Sequence, residues 1–179
     1  MSNSRSRRIF LQEFLAGCCA CAVSLPAWSA GTDERRLLLQ NTHTGDVLDT
    51  IYRVNGQPQP AELGRLDWIF RDHRAGSVLP IDARLFDLLH ELAAAAGVEP
   101  RYQIISGYRT PATNSMLVTT SDGVSSRSLH MEGKAIDIRL AGLPLAELRD
   151  LALARRAGGV GYYPGSDFVH LDVGRVRNW

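Results

Sequence analysis

Hydrophobic and polar residues follow two different periods along the chain, which predicts a mixture of strands and helices. Alternation with a period of two marks strands, and apolar residues three to four positions apart mark amphipathic helices. The periodicity predicts strands at 37–41, 47–54, 102–106, 134–140 and 168–173, and helices at 61–71, 81–96, 111–118 and 145–157. Because the two kinds of element do not alternate regularly, we expect a single α+β domain with a small antiparallel sheet flanked by helices.

The segment 81–96 gives the clearest helical pattern. Asp82 is placed to cap its first turn, and Gly97 is placed to end it. Its apolar stripe is formed by Leu85, Leu88, Leu89 and Leu92. This stripe predicts that one face of the helix packs on the sheet.

Two of the predicted strands alternate strictly and carry polar side chains on one face. In the segment 134–140, the aliphatic face is formed by Ile136, Ile138 and Leu140, and the opposite face by Ala135, Asp137 and Arg139. In the segment 168–173, the two faces are formed by Val169, Leu171 and Val173, and by Phe168, His170 and Asp172. With the aliphatic faces in the core, Asp137 and His170 lie on the polar faces.

A third polar residue, His130, comes just before the first of these strands, at the end of a polar loop. Two histidines and one carboxylate, with one coordination position left open, are a standard set of ligands for catalytic zinc. Taken singly, each residue has a simpler explanation: a lone histidine on a strand is more often a surface or hydrogen-bonded residue, and Asp137 can pair with Arg139 or cap a loop. Spacing alone does not decide between these interpretations.

Composition limits the class of protein. The chain has 179 residues, of which 45% are hydrophobic and 22% charged, as expected for one globular domain. The net charge of +1 gives no indication of nucleic-acid binding. All three cysteines lie at positions 18, 19 and 21. A domain that begins after them has no thiolate ligands, so its metal would be held by histidine, aspartate or glutamate.

The N-terminal segment predicts export. Arg7 and Arg8 precede an apolar run at 14–25 that is too short to span a bilayer, and their pattern is similar to a twin-arginine signal. We therefore expect a signal peptide at 1–29, a domain at 30–179 without a transmembrane span, and a periplasmic location. The alternative is lipid anchoring, because Leu15 to Cys18 is similar to a lipobox.

Three short motifs carry a resemblance to a known family. Residues 128–137 fit Ser-x-His-x-x-Gly-x-Ala-x-Asp, residues 168–172 read Phe-Val-His-Leu-Asp, and residues 106–109 read Ser-Gly-Tyr-Arg. Together they resemble the VanY-like D-alanyl-D-alanine carboxypeptidase and murein endopeptidase zinc peptidases, and most closely the YcbK-like periplasmic subfamily. That group shares a zinc fold with the hedgehog signalling domain. The resemblance extends from about residue 37 to 179 and includes 71–74 and 159–164.

The resemblance implies roles for individual residues. His130, Asp137 and His170 would bind Zn²⁺, and Arg109 would orient the substrate or stabilise the oxyanion, with a structural salt bridge as its alternative role. Tyr108 and Ser128 are further candidates for substrate binding. Their alternatives are packing in the core or at the rim of the site for Tyr108, and a hydrogen bond within its own loop for Ser128.

The general base is left open by the sequence. Many relatives place a glutamate three residues before the last histidine, where this chain has the shorter Asp167. Asp172 lies two residues beyond His170 and therefore on the same side of the strand. It is an equal candidate for the base, or a carboxylate that orients a histidine. Glu132 is a weaker third candidate.

The resemblance implies a zinc-dependent endopeptidase that cuts peptide cross-links of peptidoglycan, including those between two diaminopimelate residues. A carboxypeptidase that trims stem peptides is the alternative within the class. A zinc-stabilised cell-wall binding module without turnover is the alternative outside it. Peptidoglycan stem peptides are the expected partners, and we expect a monomer.

Overall fold

A single mixed sheet of eight strands runs through the computed structural model, which describes residues 32–121 and 123–179. The strands are β1 (Glu34–Asn41), β2 (Val47–Val54), β3 (Gln57–Pro58), β4 (Arg101–Ser106), β5 (Ala135–Leu140), β6 (Gly159–Tyr163), β7 (Phe168–Asp172) and β8 (Arg177–Asn178). The helices are α1 (Pro60–Ile69), α2 (Ala83–Ala96), α3 (Pro111–Thr120) and α4 (Leu145–Arg155), with a 3-10 turn at Leu129–Glu132. Across the sheet the order is β3-β2-β1-β4-β5-β7-β6-β8.

The α+β class and the single domain are confirmed, and the sheet is larger than expected and not purely antiparallel. Strands β1 and β4 pair in parallel, as do β6 and β8. The chain passes through β2, β3, α1 and α2 between β1 and β4, and a connection of this length can return it in the same direction. Strands β3, β6 and β8 were not predicted, because two of them are two residues long and β6 contains two glycines.

The ends of α2 follow the capping rules. The side chain of Asp82 accepts a hydrogen bond from the backbone N–H of Arg84, and Gly97 ends the helix with a φ of 67°. The helix begins at Ala83, two residues later than predicted. At α3, Thr110 accepts a hydrogen bond from the N–H of Thr113. This cap matters for the site, because Thr110 directly follows Arg109.

The hydrophobic core lies on the face of the sheet that α2 and α4 cover. The aliphatic side chains of β5 and β7 are fully buried in it, as the alternation predicted: Ile136, Ile138, Val169 and Leu171. Asp137 and His170 consequently point to the opposite face of the same two strands. The helices therefore cover the core face of the sheet, and the candidate site lies on the opposite, polar face.

The predicted signal peptide at 1–29 and the alternative anchor at Cys18 lie outside the described residues. Within the described part of the chain, no helix combines the length and the apolar character that crossing a membrane requires.

Candidate metal centre

Asp137 and His170 face each other across two central strands. They are direct partners in the antiparallel register of β5 and β7. Nδ1 of His170 lies 2.8 Å from Oδ1 of Asp137. Both side chains are almost completely buried, although they are on the polar face. The strand register therefore brings together two residues that are 33 positions apart in the sequence.

His130 reaches the same point from the 3-10 turn. Ser128 caps this turn by accepting a hydrogen bond from the backbone N–H of His130, and Gly133 ends it with a φ of 66°. Glycine favours this left-handed conformation, which lets the chain turn from the loop into β5 at Gly133. The Nδ1 of His130 lies 2.7 Å from the carbonyl oxygen of Gly107, and its Nε2 lies 3.2 Å from Nδ1 of His170.

The three side chains offer one ligand atom each, and these atoms all lie within 4.8 Å of one another. Burial by itself raises the pKa of Asp137, but the facing His130 and His170 outweigh it and hold the pKa below its usual value. Burial lowers the pKa of His130 and favours the neutral imidazole. A carboxylate and a neutral imidazole are the forms that bind metals, so the shifts at Asp137 and His130 favour the binding of a divalent cation.

Asp172 lies on the far side of the His170 ring. Its Oδ2 is 3.2 Å from Nε2 of His170, the ring nitrogen that faces away from Asp137. The carboxylate also accepts hydrogen bonds from the N–H groups of Gly159 and Gly174 and from Arg177. Asp172 is completely buried. Its contacts are those of a carboxylate that orients a metal-binding histidine.

Arg109 lies next to the ligands. Its Nη2 donates to Oδ2 of Asp137 and its Nε donates to Oγ of Ser106 at 2.8 Å. The backbone N–H of Arg109 donates to the carbonyl of His130 at 3.2 Å. The guanidinium therefore has a fixed position at the edge of the candidate centre and lines the pocket.

The remaining candidates lie in different places. Tyr108 packs against the hydrophobic core and does not line the pocket, whereas Ser128 is buried at the pocket wall. Asp167 is in the turn before β7, 64% exposed, with its Oδ2 2.9 Å from Nε of Arg139. Its two chain neighbours, residues 166 and 168, line the pocket. Glu132 is exposed and pairs with Lys134 at 2.8 Å.

The candidate centre opens into a pocket of about 560 Å³. Arg74 and Arg127 line it, and neither forms an ion pair with an acidic residue within 32–121 and 123–179. Aromatic side chains line another part of the wall: Tyr163, Phe168 and Trp179. Among the described lining residues, Asp137 is the only acidic one. The described lining residues therefore carry a net positive charge before any metal binds.

Several residues that support the site were missed by the sequence interpretation. Gly107 provides the carbonyl that holds His130, and a Cβ at this position would lie 2.2 Å from the carbonyl oxygen of Phe70. Buried Asp72 accepts hydrogen bonds from the N–H groups of Arg74 and Thr110. Aspartate is frequent at turns of this kind, so Asp72 gave a weak turn signal in the sequence, but neither its burial nor its hydrogen bonds could be predicted from it.

Comparison with known proteins assigns the family. The family described as peptidoglycan L,D-endopeptidase MepK matches residues 29–179. The chain belongs to this peptidase family. Membership implies a bound metal, and the cluster of His130, Asp137 and His170 is suited to hold it.

Curated relatives of the chain are similar over most of their length. The chain is 43% identical over 162 residues to the peptidoglycan L,D-endopeptidase MepK of Escherichia coli strain K12, a match that covers 89% of each chain. The relative of the same name in Shigella flexneri gives the same figures. A probable peptidoglycan L,D-endopeptidase MepK of Haemophilus influenzae is 40% identical over 146 residues, or 81% of this chain and 78% of that protein. No solved structure gives a significant match.

Proposed function

We propose that the protein is a zinc-dependent peptidase that cleaves peptide cross-links of peptidoglycan, with the L,D-endopeptidase specificity that its relatives' names state. The observation that carries this proposal is the convergence of His130, Asp137 and His170 at the base of a pocket lined by Arg109. The subfamily suggested by the motifs agrees with the family match.

Zinc is proposed because of the donor set. Two imidazole nitrogens and one carboxylate oxygen are available, and the domain after residue 29 has no cysteine. When bound, Zn²⁺ would polarise the scissile carbonyl and lower the pKa of water. The chain itself contributes the orientation of the ligands: the carbonyl of Gly107 fixes the His130 ring, and Asp172 fixes the His170 ring.

Arg109 is proposed to stabilise the oxyanion. Its guanidinium is fixed by Ser106 and Asp137, and it lines the pocket beside the ligand atoms. A cation fixed in this way stabilises charge that develops on the carbonyl oxygen during attack, and it does so without reorganisation. Its ion pair with Asp137 also places a positive charge beside that carboxylate, which supports a structural role in addition to the proposed catalytic one.

We propose Asp167 as the general base. Asp172 already accepts hydrogen bonds from Arg177 and two backbone N–H groups and contacts His170, whereas Asp167 is exposed beside two pocket-lining residues. Its carboxylate would leave Arg139, accept the proton of the attacking water and donate it to the leaving amine as the C–N bond breaks. The aspartate is one methylene shorter than the glutamate of many relatives. The turn that carries Asp167 must therefore place its carboxylate close to the attacking water.

The pocket charge favours an anionic peptide as substrate. Arg74 and Arg127 provide two guanidinium groups at the wall, and peptidoglycan stem peptides carry free carboxylates near their cross-links. Arg–carboxylate pairs are both strong and directional. These arginines therefore support stem peptides as the partner. Tyr108 packs in the core and Ser128 caps the turn of His130, so we propose that their effect on substrate is indirect.

For the location, we propose export to the periplasm by the twin-arginine route, with residues 1–29 as the signal and 30–179 as the peptidase domain. The support is the paired arginines before a short apolar run and the cell-wall substrate named for the relatives. Mass spectrometry of the mature N-terminus tests this. A chain starting near Ala30 is expected, and a lipid-modified Cys18 would show anchoring instead.

Digestion of purified, cross-linked muropeptides tests the activity. The zinc-loaded protein is expected to release products, His170→Ala is expected to release none, and Asp167→Asn is expected to lower kcat by ~10²–10⁴-fold while metal content is unchanged. Products from L,D-cross-linked dimers support the endopeptidase, and products from terminal D-alanine alone would favour the carboxypeptidase.

A binding module is the second candidate. It is favoured by the pairing of Asp167 with Arg139, because a paired carboxylate does not act as a base. Binding of muropeptides without any product would support that module.

A further inference from the structure

The C-terminal residues from Arg177 to Trp179 pack on the His170 side of the candidate centre. The ring of Trp179 lies 5.3 Å from that of His170, measured between centroids. Its Nε1 donates a hydrogen bond to the Tyr163 hydroxyl at 2.7 Å. The backbone of Trp179 forms two hydrogen bonds with β6. Its N–H donates to the carbonyl of Val160, and its carbonyl accepts from the N–H of Tyr162. The indole is therefore held in place against one side of the imidazole.

Arg177, two residues before Trp179, binds Asp172, the carboxylate that contacts the other edge of the His170 ring. Its Nη2 lies 2.6 Å from Oδ2 of Asp172, and its Nη1 lies 3.1 Å from Oδ1. The same guanidinium stacks on the indole of Trp179 at 4.9 Å from the ring centroid. The four side chains of His170, Asp172, Arg177 and Trp179 thus form a closed ring of contacts. A displacement of Arg177 or Trp179 is therefore transmitted to the imidazole.

Two glycines of β6 leave the room for this arrangement. Gly161 is the register partner of His170, and a Cβ there would lie 2.8 Å from Cε2 of Trp179. A Cβ at Gly159 would lie 2.3 Å from Oδ2 of Asp172 and 2.5 Å from Nη1 of Arg177. Larger residues at either position would displace the side chains that contact His170. The glycines of this strand therefore make room for β8 at the site.

We propose that Arg177 and Trp179 are positioning residues that hold the imidazole of His170 with Nδ1 directed at the metal. A histidine ring has two broad χ2 orientations, and only one of them presents Nδ1 to Asp137 and His130. Arg177 fixes the carboxylate that accepts a hydrogen bond from Nε2–H of His170, and the indole blocks rotation of the ring. This inference rests on the metal centre of the proposed function and is independent of its substrate.

Metal affinity and ring spectroscopy test the inference together. The metal dissociation constant is measured with Zn²⁺ and a chromogenic chelator for the parent, Arg177→Gln, Trp179→Ala and Trp179→Phe. The matched control is Trp68→Ala, because Trp68 is 54% exposed and stacks on Arg71 at 4.3 Å, away from the pocket. We expect the dissociation constant to rise ~10–100-fold in the first two variants, less in Trp179→Phe, and not at all in the control.

Nitrogen-15 spectra of the zinc-loaded protein give a second measurement that does not depend on activity. The parent is expected to show one His170 tautomer with the proton on Nε2, and Arg177→Gln and Trp179→Ala are expected to show averaged ring signals. Thermal melts identify folded variants, and Trp179→Phe and Arg177→Lys serve if the larger changes unfold the domain. Folded variants with parental metal affinity and an unchanged ring spectrum would overturn the inference. A parent that binds no Zn²⁺ would overturn the metal centre itself.

Discussion

Nε2 of His170 lies 3.2 Å from Oδ2 of Asp172, on the ring edge opposite the nitrogen that faces Asp137. The imidazole therefore has a carboxylate on each side, one in the ligand cluster and one behind it. An arrangement of this kind fixes the tautomer of a ligand histidine and raises its basicity. It also places Asp172 away from the open pocket, where an attacking water would be activated.

The first prediction concerns this second carboxylate. Asp172→Asn keeps the shape of the side chain but removes the negatively charged carboxylate that accepts a hydrogen bond from His170. We expect metal affinity to fall ~10–100-fold, and activity at saturating metal to fall less than it does in Asp167→Asn. Chelator competition measures the affinity, and Asp150→Asn, on the exposed surface of α4, is the control. Unchanged affinity together with complete loss of turnover would instead make Asp172 the base.

A second prediction separates transition-state stabilisation by Arg109 from substrate binding. Arg109→Gln should lower kcat by ~10²–10³-fold with little change in KM, because the oxyanion forms only during attack. Metal content is measured in parallel, since the guanidinium also contacts Asp137. Arg84→Gln, whose arginine is exposed and pairs with Asp82, is the control. A large rise in KM at constant kcat would show that Arg109 binds the ground state.

The pocket arginines give a third prediction. Arg74→Gln and Arg127→Gln should each raise KM several-fold for cross-linked peptides with free carboxylates, and the effect should shrink as salt is added. Amidated peptides should show almost no difference between these variants and the parent. Arg65→Gln removes an exposed arginine that pairs with Glu62 and should have no effect. Equal losses on acidic and amidated peptides would contradict direct carboxylate binding.

Asp72 gives a prediction about pH. Burial by itself raises its pKa, but hydrogen bonds from Thr113, Thr110 and Ala75 outweigh it and lower the pKa to about 2, from a usual value of 3.8. Because the folded pKa is depressed, the stabilisation is present above about pH 4 and is lost as the pH falls toward 2. We expect this to amount to roughly 2 kcal/mol.

Urea denaturation between pH 2 and 7 tests the role of Asp72. Asp72→Asn should be less stable than the parent at neutral pH, and the difference should narrow as the pH falls toward 2. Asp150→Asn, which changes an exposed carboxylate, should follow the parent curve. A constant difference between Asp72→Asn and the parent over the whole pH range would refute the assignment.

Much of this site could be predicted from the sequence because its motifs are local. The alternation of β5 and β7 placed Asp137 and His170 on the face opposite the core, and the pattern around His130 indicated a third candidate ligand, which lies close to the other two. Each of these inferences needs only a few neighbouring residues.

The rest depends on contacts between distant segments, which periodicity does not encode. The alternation showed that Asp172 and His170 share a face, but which ring nitrogen Asp172 contacts depends on the rotamer of His170 and the position of Arg177. The short β8 has too few residues to give a strand pattern, and the parallel pairing of β1 with β4 is set by the sheet as a whole. Asp72 accepts hydrogen bonds from backbone N–H groups of a turn and of the residue that caps α3, and such contacts leave no periodic pattern in the sequence.

The central claim is that His130, Asp137 and His170 bind one divalent ion. Elemental analysis of the protein purified after export, followed by titration with Zn²⁺, tests it most directly. We predict about one zinc per chain in the parent and in His90→Ala, whose histidine lies on α2, and almost none in His130→Ala or His170→Ala. A parent that is purified without metal and takes up none on titration, or a His170→Ala variant that binds as much as the parent, would contradict the claim.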